Sequence, residues 1–201
     1  MIRTRTKWLA GVAALLACGL AASHIWDAWS QRPSGLLVYG DSIVHGFGVP
    51  HPWPQQLRAE TDAVVGRPLA NDPTAGRRIG QKKAPIVWIA IGTNDYGKSK
   101  VTPDDFRAAY IALVDAIHSG SPNTAIYAQT PLVRKTEGPN NLGASLGEYR
   151  TAILTVCQSR PWITCIDGTK ILAISDMPDG LHPGAAAQEK YANFVSDAVQ
   201  L

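Results

Sequence analysis

Short apolar runs rich in β-forming residues alternate with helical patterns along most of the chain, and this alternation restricts the fold more than any other feature. The runs LLVY and IVWIAI are continuously apolar, as strands of a parallel sheet are when helices cover both faces. Alternating strands and helices predict an α/β domain with a parallel sheet. The expected strands are residues 36–39, 68–70, 86–91, 124–129 and 162–166.

Helical patterns fill the intervals between these runs. Thr102 and Pro103 supply a cap and a first-turn proline to one of them, and Gly120 follows its end. The last pattern carries an apolar stripe at helical spacing, which we expect to pack on the sheet. The expected helices are residues 53–64, 103–118, 145–158 and 185–199.

The N-terminal segment differs from the rest of the chain. Three basic residues within the first seven positions precede an uncharged run at 8–26, which is the pattern of an export signal. The apolar part of this run, 8–22, has the length of a signal peptide, whereas the whole run approaches the length that spans a bilayer. Residues 1–30 are therefore interpreted as a hydrophobic leader helix, either a signal peptide or a membrane anchor.

A linker at 31–35 and a domain at 36–201 are expected to follow the leader. We rank an uncleaved anchor first, a signal cleaved near residues 21–23 second, and a lipoprotein modified at Cys18 third. Each interpretation places the domain on the periplasmic or extracellular side, either secreted or attached to the membrane through residues 8–26.

Net charge argues against one class of partner. Residues 1–35 contain four basic residues and one acidic residue, Asp27, which together account for the whole formal net charge of +3. The 15 basic and 15 acidic residues that remain, of 19 and 16 in the chain, balance within 36–201. A neutral domain has no basic surface in excess, so nucleic-acid binding is not expected.

Cysteine usage is compatible with export. Cys157 and Cys165 are eight positions apart, so they either form a disulfide in an oxidising compartment or serve as two small buried residues. The sequence contains no CxxC, no HExxH and no cluster of cysteine and histidine, and therefore indicates no metal.

Three polar motifs lie where strands end or the last helix begins. Gly40-Asp41-Ser42 follows LLVY, a Gly-Thr-Asn-Asp block containing Asn94 follows IVWIAI, and Asp179 precedes His182 by three residues. A serine hydroxyl is a weak nucleophile until an imidazole takes its proton, and a carboxylate fixes the tautomer of that imidazole. Ser42, His182 and Asp179 supply these three groups.

Two other acidic residues, Asp167 and Asp176, are rivals for the carboxylate role. The three-residue offset to His182 favours Asp179 over both of them.

The order of these motifs resembles that of the GDSL-type, or SGNH, hydrolase family of esterases and lipases, over residues 36–201. The resemblance implies a flavodoxin-like three-layer sandwich with a mostly five-stranded parallel sheet and Ser42 as nucleophile. It also implies an oxyanion hole formed by the backbone amides of Ser42 and Gly76 and the side-chain amide of Asn94. A glycine at position 76 would let the backbone approach a substrate, with Gly80 as a rival donor.

The expected activity is hydrolysis of carboxylic esters with short acyl groups through an acyl-enzyme, without a cofactor. The expected substrate is a small-molecule, glycan or lipid ester. Two alternatives remain open: an O-acyltransferase acting on a cell-envelope glycan, and a non-catalytic envelope binding module.

Other residues near these motifs have weaker interpretations. The polar loop at 133–144 follows a strand and is a candidate rim of the substrate pocket. His45 either contacts that pocket or is simply exposed. Four cations either hold an anionic substrate or form a solvated basic loop, and they are Arg77, Arg78, Lys82 and Lys83.

Overall fold

Five parallel strands form one sheet in the order β2-β1-β3-β4-β5. The computed structural model describes residues 34–98 and 101–201, so the predicted leader helix at 1–30 lies outside the described residues. The strands are β1 (Leu36–Gly40), β2 (Glu60–Ala63), β3 (Ile86–Ala90), β4 (Ala125–Gln129) and β5 (Ile163–Ile166). This order reverses direction at β1, and a doubly wound sheet binds its ligand beside that reversal, at the carboxyl ends of β1 and β3.

Seven α-helices connect and cover these strands within the described residues. They are α1 (Ser42–His45), α2 (Trp53–Gln56), α3 (Ala75–Lys82), α4 (Thr93–Gly97), α5 (Pro103–Gly120), α6 (Leu146–Gln158) and α7 (Ala185–Val199). The three longest agree with the predicted helices to within two residues at each end. In the part of the chain that the structure describes, no helix has both the length and the apolar character needed to cross a bilayer.

Alternate residues of the central strands face two separate cores. Leu37 and Ile89 pack with helices α3, α5 and α6 on one face, whereas Val38 and Trp88 pack with α1, α2 and α7 on the other. The side chains of all four residues are buried. A sheet covered by helices on both faces explains why its central strands are continuously apolar, and it confirms the predicted α/β class.

The second strand lies outside the predicted segment. Residues 68–70 were expected to be this strand, but Leu69–Asn71 is a single 3-10 turn, and β2 falls within the predicted helix 53–64. That helix ends at Gln56, and Arg58 then adopts a left-handed backbone conformation. Because β2 lies at the sheet edge and has the polar sequence ETDA, its pattern lacks the apolar signal of a buried strand.

A disulfide joins the last turn of α6 to β5. It links Cys157 and Cys165, with their Cα atoms 6.1 Å apart, so the first of the two interpretations of these cysteines is the one that the structure supports.

Loss of this disulfide should destabilise the domain. Closing a loop with a sequence separation of eight residues lowers the entropy of the unfolded chain, which corresponds to ~2.5 kcal/mol. Urea unfolding of the Cys157→Ser/Cys165→Ser variant should therefore give a free energy of unfolding lower by about this amount. An equal free energy with and without the disulfide would contradict this prediction.

Candidate active site

The predicted nucleophile lies where β1 turns into α1. Ser42 is the first residue of α1, and the Asp41 carboxylate accepts a hydrogen bond from the Ile43 N–H at 3.0 Å, which caps the helix. This strand–turn–helix path places Ser42 at the carboxyl edge of the sheet with only 4% of its surface exposed. The serine is thus held by a rigid element rather than by a loose loop.

Ser42, His182 and Asp179 form a continuous chain of hydrogen bonds. The Ser42 Oγ lies 3.0 Å from the His182 Nε2, and the His182 Nδ1 lies 2.7 Å from the Asp179 Oδ2. The other carboxylate oxygen of Asp179 accepts the backbone N–H groups of Leu181 and His182 at 2.9 and 2.7 Å. The structure therefore brings together the three side chains that the sequence assigned to a triad.

The rival carboxylates are engaged elsewhere. Asp176 pairs with Lys190 at 2.7 Å, and Asp167 accepts hydrogen bonds from the backbone and hydroxyl of Thr169.

Hydrogen bonds keep Asp179 ionised. Desolvation acts to raise the pKa of Asp179, but the backbone N–H of His182, its ring and the N–H of Leu181 together lower it to about 2. Asp179 therefore carries a negative charge beside the imidazole throughout the neutral pH range.

Asn94 is aimed at the same edge of the sheet. Gly92, with φ of +119°, turns the chain sharply between β3 and α4, so that Asn94 falls in the first turn of α4. Its side-chain nitrogen donates a hydrogen bond to the Asp41 Oδ2 at 3.0 Å. An amide nitrogen carries two hydrogens, so the second one remains available to another acceptor.

Asp41 is a functional candidate that the sequence analysis did not assign. Desolvation raises the pKa of this fully buried carboxyl to about 6, although hydrogen bonds from Ile43 and Asn94 oppose the rise. The same carboxylate thus caps the helix of Ser42 and fixes the amide of Asn94. The sequence could have indicated Asp41 as a functional residue, because it lies directly before Ser42 in the Gly-Asp-Ser motif.

The turn Leu69–Asn71 contacts the Gly-Thr-Asn-Asp block that contains Asn94. The Asp95 carboxylate accepts the backbone N–H groups of Leu69 and Ala70 at 3.0 and 3.3 Å. Desolvation of this carboxyl raises its pKa, and the two N–H groups counteract that effect. This contact was not predicted, because the turn lies within a segment that was expected to be a strand.

The structure gives a packing reason for the glycine at position 76. Gly76 lies in the first turn of α3, and a Cβ there would come within 2.6 Å of the Leu113 carbonyl oxygen of α5. A Cβ at Gly80 would likewise lie 3.1 Å from the carbonyl oxygen of Ala116. Both glycines therefore allow two helices to pack closely. The expectation that Gly76 lets the backbone approach a substrate, and the role of its amide in an oxyanion hole, stay predictions.

An exposed aromatic ring, which the sequence analysis missed, covers one side of His182. The Phe47 ring lies 4.9 Å from the imidazole, centroid to centroid, and 51% of the residue is exposed. Its backbone N–H donates to the Ser42 carbonyl at 3.0 Å, which ties the backbone of Phe47 to that of the nucleophile. The sequence signal that could have revealed it is an aromatic residue between two glycines, five positions after Ser42.

The basic cluster is largely engaged with acidic residues of the protein. Arg78 forms ion pairs with Asp62 and Asp72, and Lys82 pairs with Glu60 at 2.8 Å. These contacts favour the interpretation as a structural and solvated basic segment. His45, at the end of α1, is exposed.

Among the residues that the structure describes, no group of three or more histidine, cysteine, aspartate or glutamate side chains is arranged to hold a metal ion.

Comparison with protein families identifies the class of this fold and site. The model of the GDSL-like lipase/acylhydrolase family matches residues 38–190. The chain belongs to this family, whose members are generally esterases and lipases. No curated protein sequence matches the chain.

Solved structures with the same fold are distant in sequence. The acyltransferase "Salicylyl-Acyltransferase SsfX3 from a Tetracycline Biosynthetic Pathway" is 20% identical with a TM-score of 0.71, covering 82% of this chain and 53% of that one. The acetyl xylan esterase AlAXEase is 16% identical with a TM-score of 0.67, covering 82% and 99%. A GDSL-like lipase from Bacteroides thetaiotaomicron VPI-5482 is 14% identical with a TM-score of 0.67, covering 85% and 91%. At these identities the likeness establishes the fold.

Proposed function

We propose that this protein is a serine esterase that hydrolyses short-acyl carboxylic esters through an acyl-enzyme. The observation that carries the proposal is the hydrogen-bonded chain from Ser42 through His182 to Asp179. Two segments that lie far apart in the sequence contribute to this chain, and each residue type meets a requirement of acyl transfer.

In this mechanism the imidazole moves the protons. The Nε2 of His182 takes the hydroxyl proton as the Ser42 Oγ attacks the ester carbonyl, and Asp179 stabilises the resulting imidazolium. His182 then gives that proton to the departing alcohol oxygen, which leaves the acyl group on Ser42. Water deprotonated by the same imidazole releases the acid and restores the serine.

Hydrogen-bond donors would stabilise the negative charge on the former carbonyl oxygen. The proposed donors are the second amide hydrogen of Asn94 and the backbone N–H groups of Ser42 and Gly76. Asp41 accepts a hydrogen bond from the side-chain nitrogen of Asn94, so the orientation of this amide is fixed before the substrate arrives.

Export and short acyl groups are part of the same proposal. The disulfide between Cys157 and Cys165 supports an oxidising compartment, in agreement with a leader at 1–30 that serves as a signal peptide or membrane anchor. The exposed Phe47 ring beside His182 offers an apolar surface of limited size, which suits an acetyl or similarly short acyl group.

The test is hydrolysis of p-nitrophenyl esters from acetate to laurate by the purified protein. We expect turnover of the acetate and a steady decrease of kcat/KM as the acyl chain lengthens. No turnover of any ester by a folded protein would overturn the proposal and favour a non-catalytic binding module.

An O-acyltransferase is the second candidate. The structural likeness to a salicylyl-acyltransferase supports it, because an acyl-enzyme can react with a hydroxyl group as well as with water. Product analysis with a glycan acceptor would separate the two functions. Transfer yields a new ester of the acceptor, whereas hydrolysis yields only the free acid.

Exchange of Asp41 for asparagine should lower activity while it raises stability. The new amide nitrogen would face the donor of Asn94, so the Asn94 amide is expected to flip and present its oxygen instead. Loss of one oxyanion donor corresponds to a decrease of about 10²–10³ in kcat. The variant keeps a side-chain oxygen for the Ile43 N–H, so the cap of α1 is retained.

The effect of this exchange on stability depends on pH. The folded-state pKa of Asp41 is raised from 3.8 to about 6, so the stability linked to its proton is lost as the pH rises through that interval. Asp41→Asn should therefore increase the free energy of unfolding at pH 8 by up to ~3 kcal/mol, and by much less at pH 4. Urea unfolding at both pH values measures this, with the exposed Asp104→Asn as control. A variant that is less stable than the wild type at pH 8 would contradict the prediction.

A further inference from the structure

Arg134 lies between two segments that carry the candidate active site. It belongs to the loop between β4 and α6, and its Nη1 donates hydrogen bonds to the backbone oxygen and hydroxyl of Thr93, the residue before Asn94. The next residue, Lys135, donates its backbone N–H to the carbonyl of Gly180, which lies between Asp179 and His182 in sequence. The loop therefore bridges the Asn94 segment and the His182 segment.

The position of the Arg134 side chain is fixed. Its guanidinium carbon lies 5.1 Å from the centre of the Tyr96 ring, a cation–π contact, in addition to the two hydrogen bonds with Thr93. The loop is itself anchored, because Arg150 binds the carbonyl oxygens of Pro131 and Leu132. A side chain held in this way loses little further entropy when it binds a ligand.

Among the described residues, no carboxylate forms an ion pair with the Arg134 guanidinium. Glu137, the carboxylate that follows in the loop, accepts the Arg134 backbone N–H at 2.9 Å but binds the guanidinium of Arg150 through both of its oxygens at 2.8 Å. The Nε of Arg134 is buried and makes no hydrogen bond. A ligand cannot reach this shielded Nε, whereas the Nη2 of Arg134 makes no hydrogen bond to any described residue and is not buried, so the Nη2 is the nitrogen that can donate to a ligand.

We propose that Arg134 binds a carboxylate group of the ester substrate, so that the protein prefers esters with an anionic substituent. This inference rests on the proposed esterase function and adds a substrate class to it. The Nη2 of Arg134 can donate a charge-assisted hydrogen bond to a carboxylate oxygen, and the exposed Lys135 beside it adds positive charge. The sequence analysis considered an anion site at the cluster containing Arg78, but that residue is occupied by Asp62 and Asp72.

The test compares ester pairs that differ in charge but little in size. One pair is 4-acetoxybenzoate and 4-acetoxybenzamide, with the charge on the alcohol, and the other is mono-p-nitrophenyl adipate and p-nitrophenyl hexanoate, with the charge on the acyl group. For the full-length wild type we expect kcat/KM to favour the anionic member of at least one pair by about tenfold or more, mainly through KM. This preference should approach one in Arg134→Gln and be intermediate in Arg134→Lys.

Arg107→Gln is the matched control, because Arg107 is an exposed arginine of α5 that pairs with Asp104. It should keep the wild-type preference. Equal rates for both members of each pair in the wild type, or an unchanged preference in Arg134→Gln, would overturn the inference. If Arg134→Gln does not fold, Arg134→Lys decides, since lysine retains the charge but loses the planar fork.

A binding measurement separates failure of this inference from failure of the proposed function. Calorimetry of Ser42→Ala with benzoate and benzamide requires no turnover, and benzoate should bind at least about tenfold more tightly. Tighter binding of benzoate that disappears in Ser42→Ala/Arg134→Gln would support the anion site even if no ester is hydrolysed. Equal binding of the two compounds would contradict it.

Discussion

Replacing Ser42 with alanine should reduce kcat/KM for p-nitrophenyl acetate by about 10⁶-fold and leave the fold intact. The Ser42 Oγ forms a hydrogen bond with His182. Alanine therefore removes the nucleophile and this one hydrogen bond, and we expect little effect on the stability of the fold. The backbone N–H of residue 42 also remains. A low residual rate is expected, because the oxyanion donors and the binding surface persist without the nucleophile.

Ser196→Ala is a suitable control for this change. The Ser196 hydroxyl donates to the Leu201 carbonyl at the end of α7, so the variant removes a hydroxyl group that is not bonded to Ser42, His182 or Asp179. Its kcat/KM should equal that of the wild type. Retention of more than a small fraction of activity in Ser42→Ala would assign the reaction to another group.

Asp179→Asn should lower kcat by about 10³–10⁴ while the protein remains folded. Asparagine can still accept the backbone N–H groups of Leu181 and His182 through its oxygen, but its amide nitrogen would face the Nδ1 of His182. The imidazole would then carry its proton on Nε2, which faces Ser42, and could not accept the serine proton. The loss comes from the wrong tautomer and not from unfolding.

Asp176→Asn tests the same substitution three residues earlier. Asp176 forms an ion pair with Lys190 and accepts the Ala173 N–H, so its loss should affect local stability but leave kcat within a few-fold of the wild type. Equal losses of kcat in both variants would contradict the assignment of Asp179 as the triad carboxylate. Kinetics with p-nitrophenyl acetate and circular dichroism together measure the two effects.

Features that involve burial on both faces of the sheet could be predicted from the sequence. The runs LLVY and IVWIAI became β1 and β3 because central parallel strands must be apolar throughout. The serine, asparagine and histidine motifs could be placed at one edge because they follow strands or precede the last helix. Parallel strands bring their carboxyl ends to the same edge, so Ser42 and His182 meet although 140 residues separate them.

Features that depend on a single edge or on tertiary contact could not be predicted. Strand β2 is polar because its side chains lie at the sheet edge. Neither an apolar periodicity nor its amino-acid composition therefore indicates a strand there. The close packing of Gly76 against α5 could not be predicted either, because it depends on where α5 lies in the fold. Arg134 is likewise an ordinary loop cation in the sequence, and its lack of a carboxylate partner follows from the pairing of Glu137 with Arg150.

Covalent labelling with a fluorophosphonate tests the central claim most directly. The probe reacts with an activated serine and requires neither the natural substrate nor its acceptor, so it separates a working triad from the question of the ester. The account predicts one adduct per folded chain, located by peptide mass spectrometry on Ser42, and absent from Ser42→Ala and from heat-denatured protein. An unlabelled Ser42 in folded protein, or an adduct on a different residue, would contradict it.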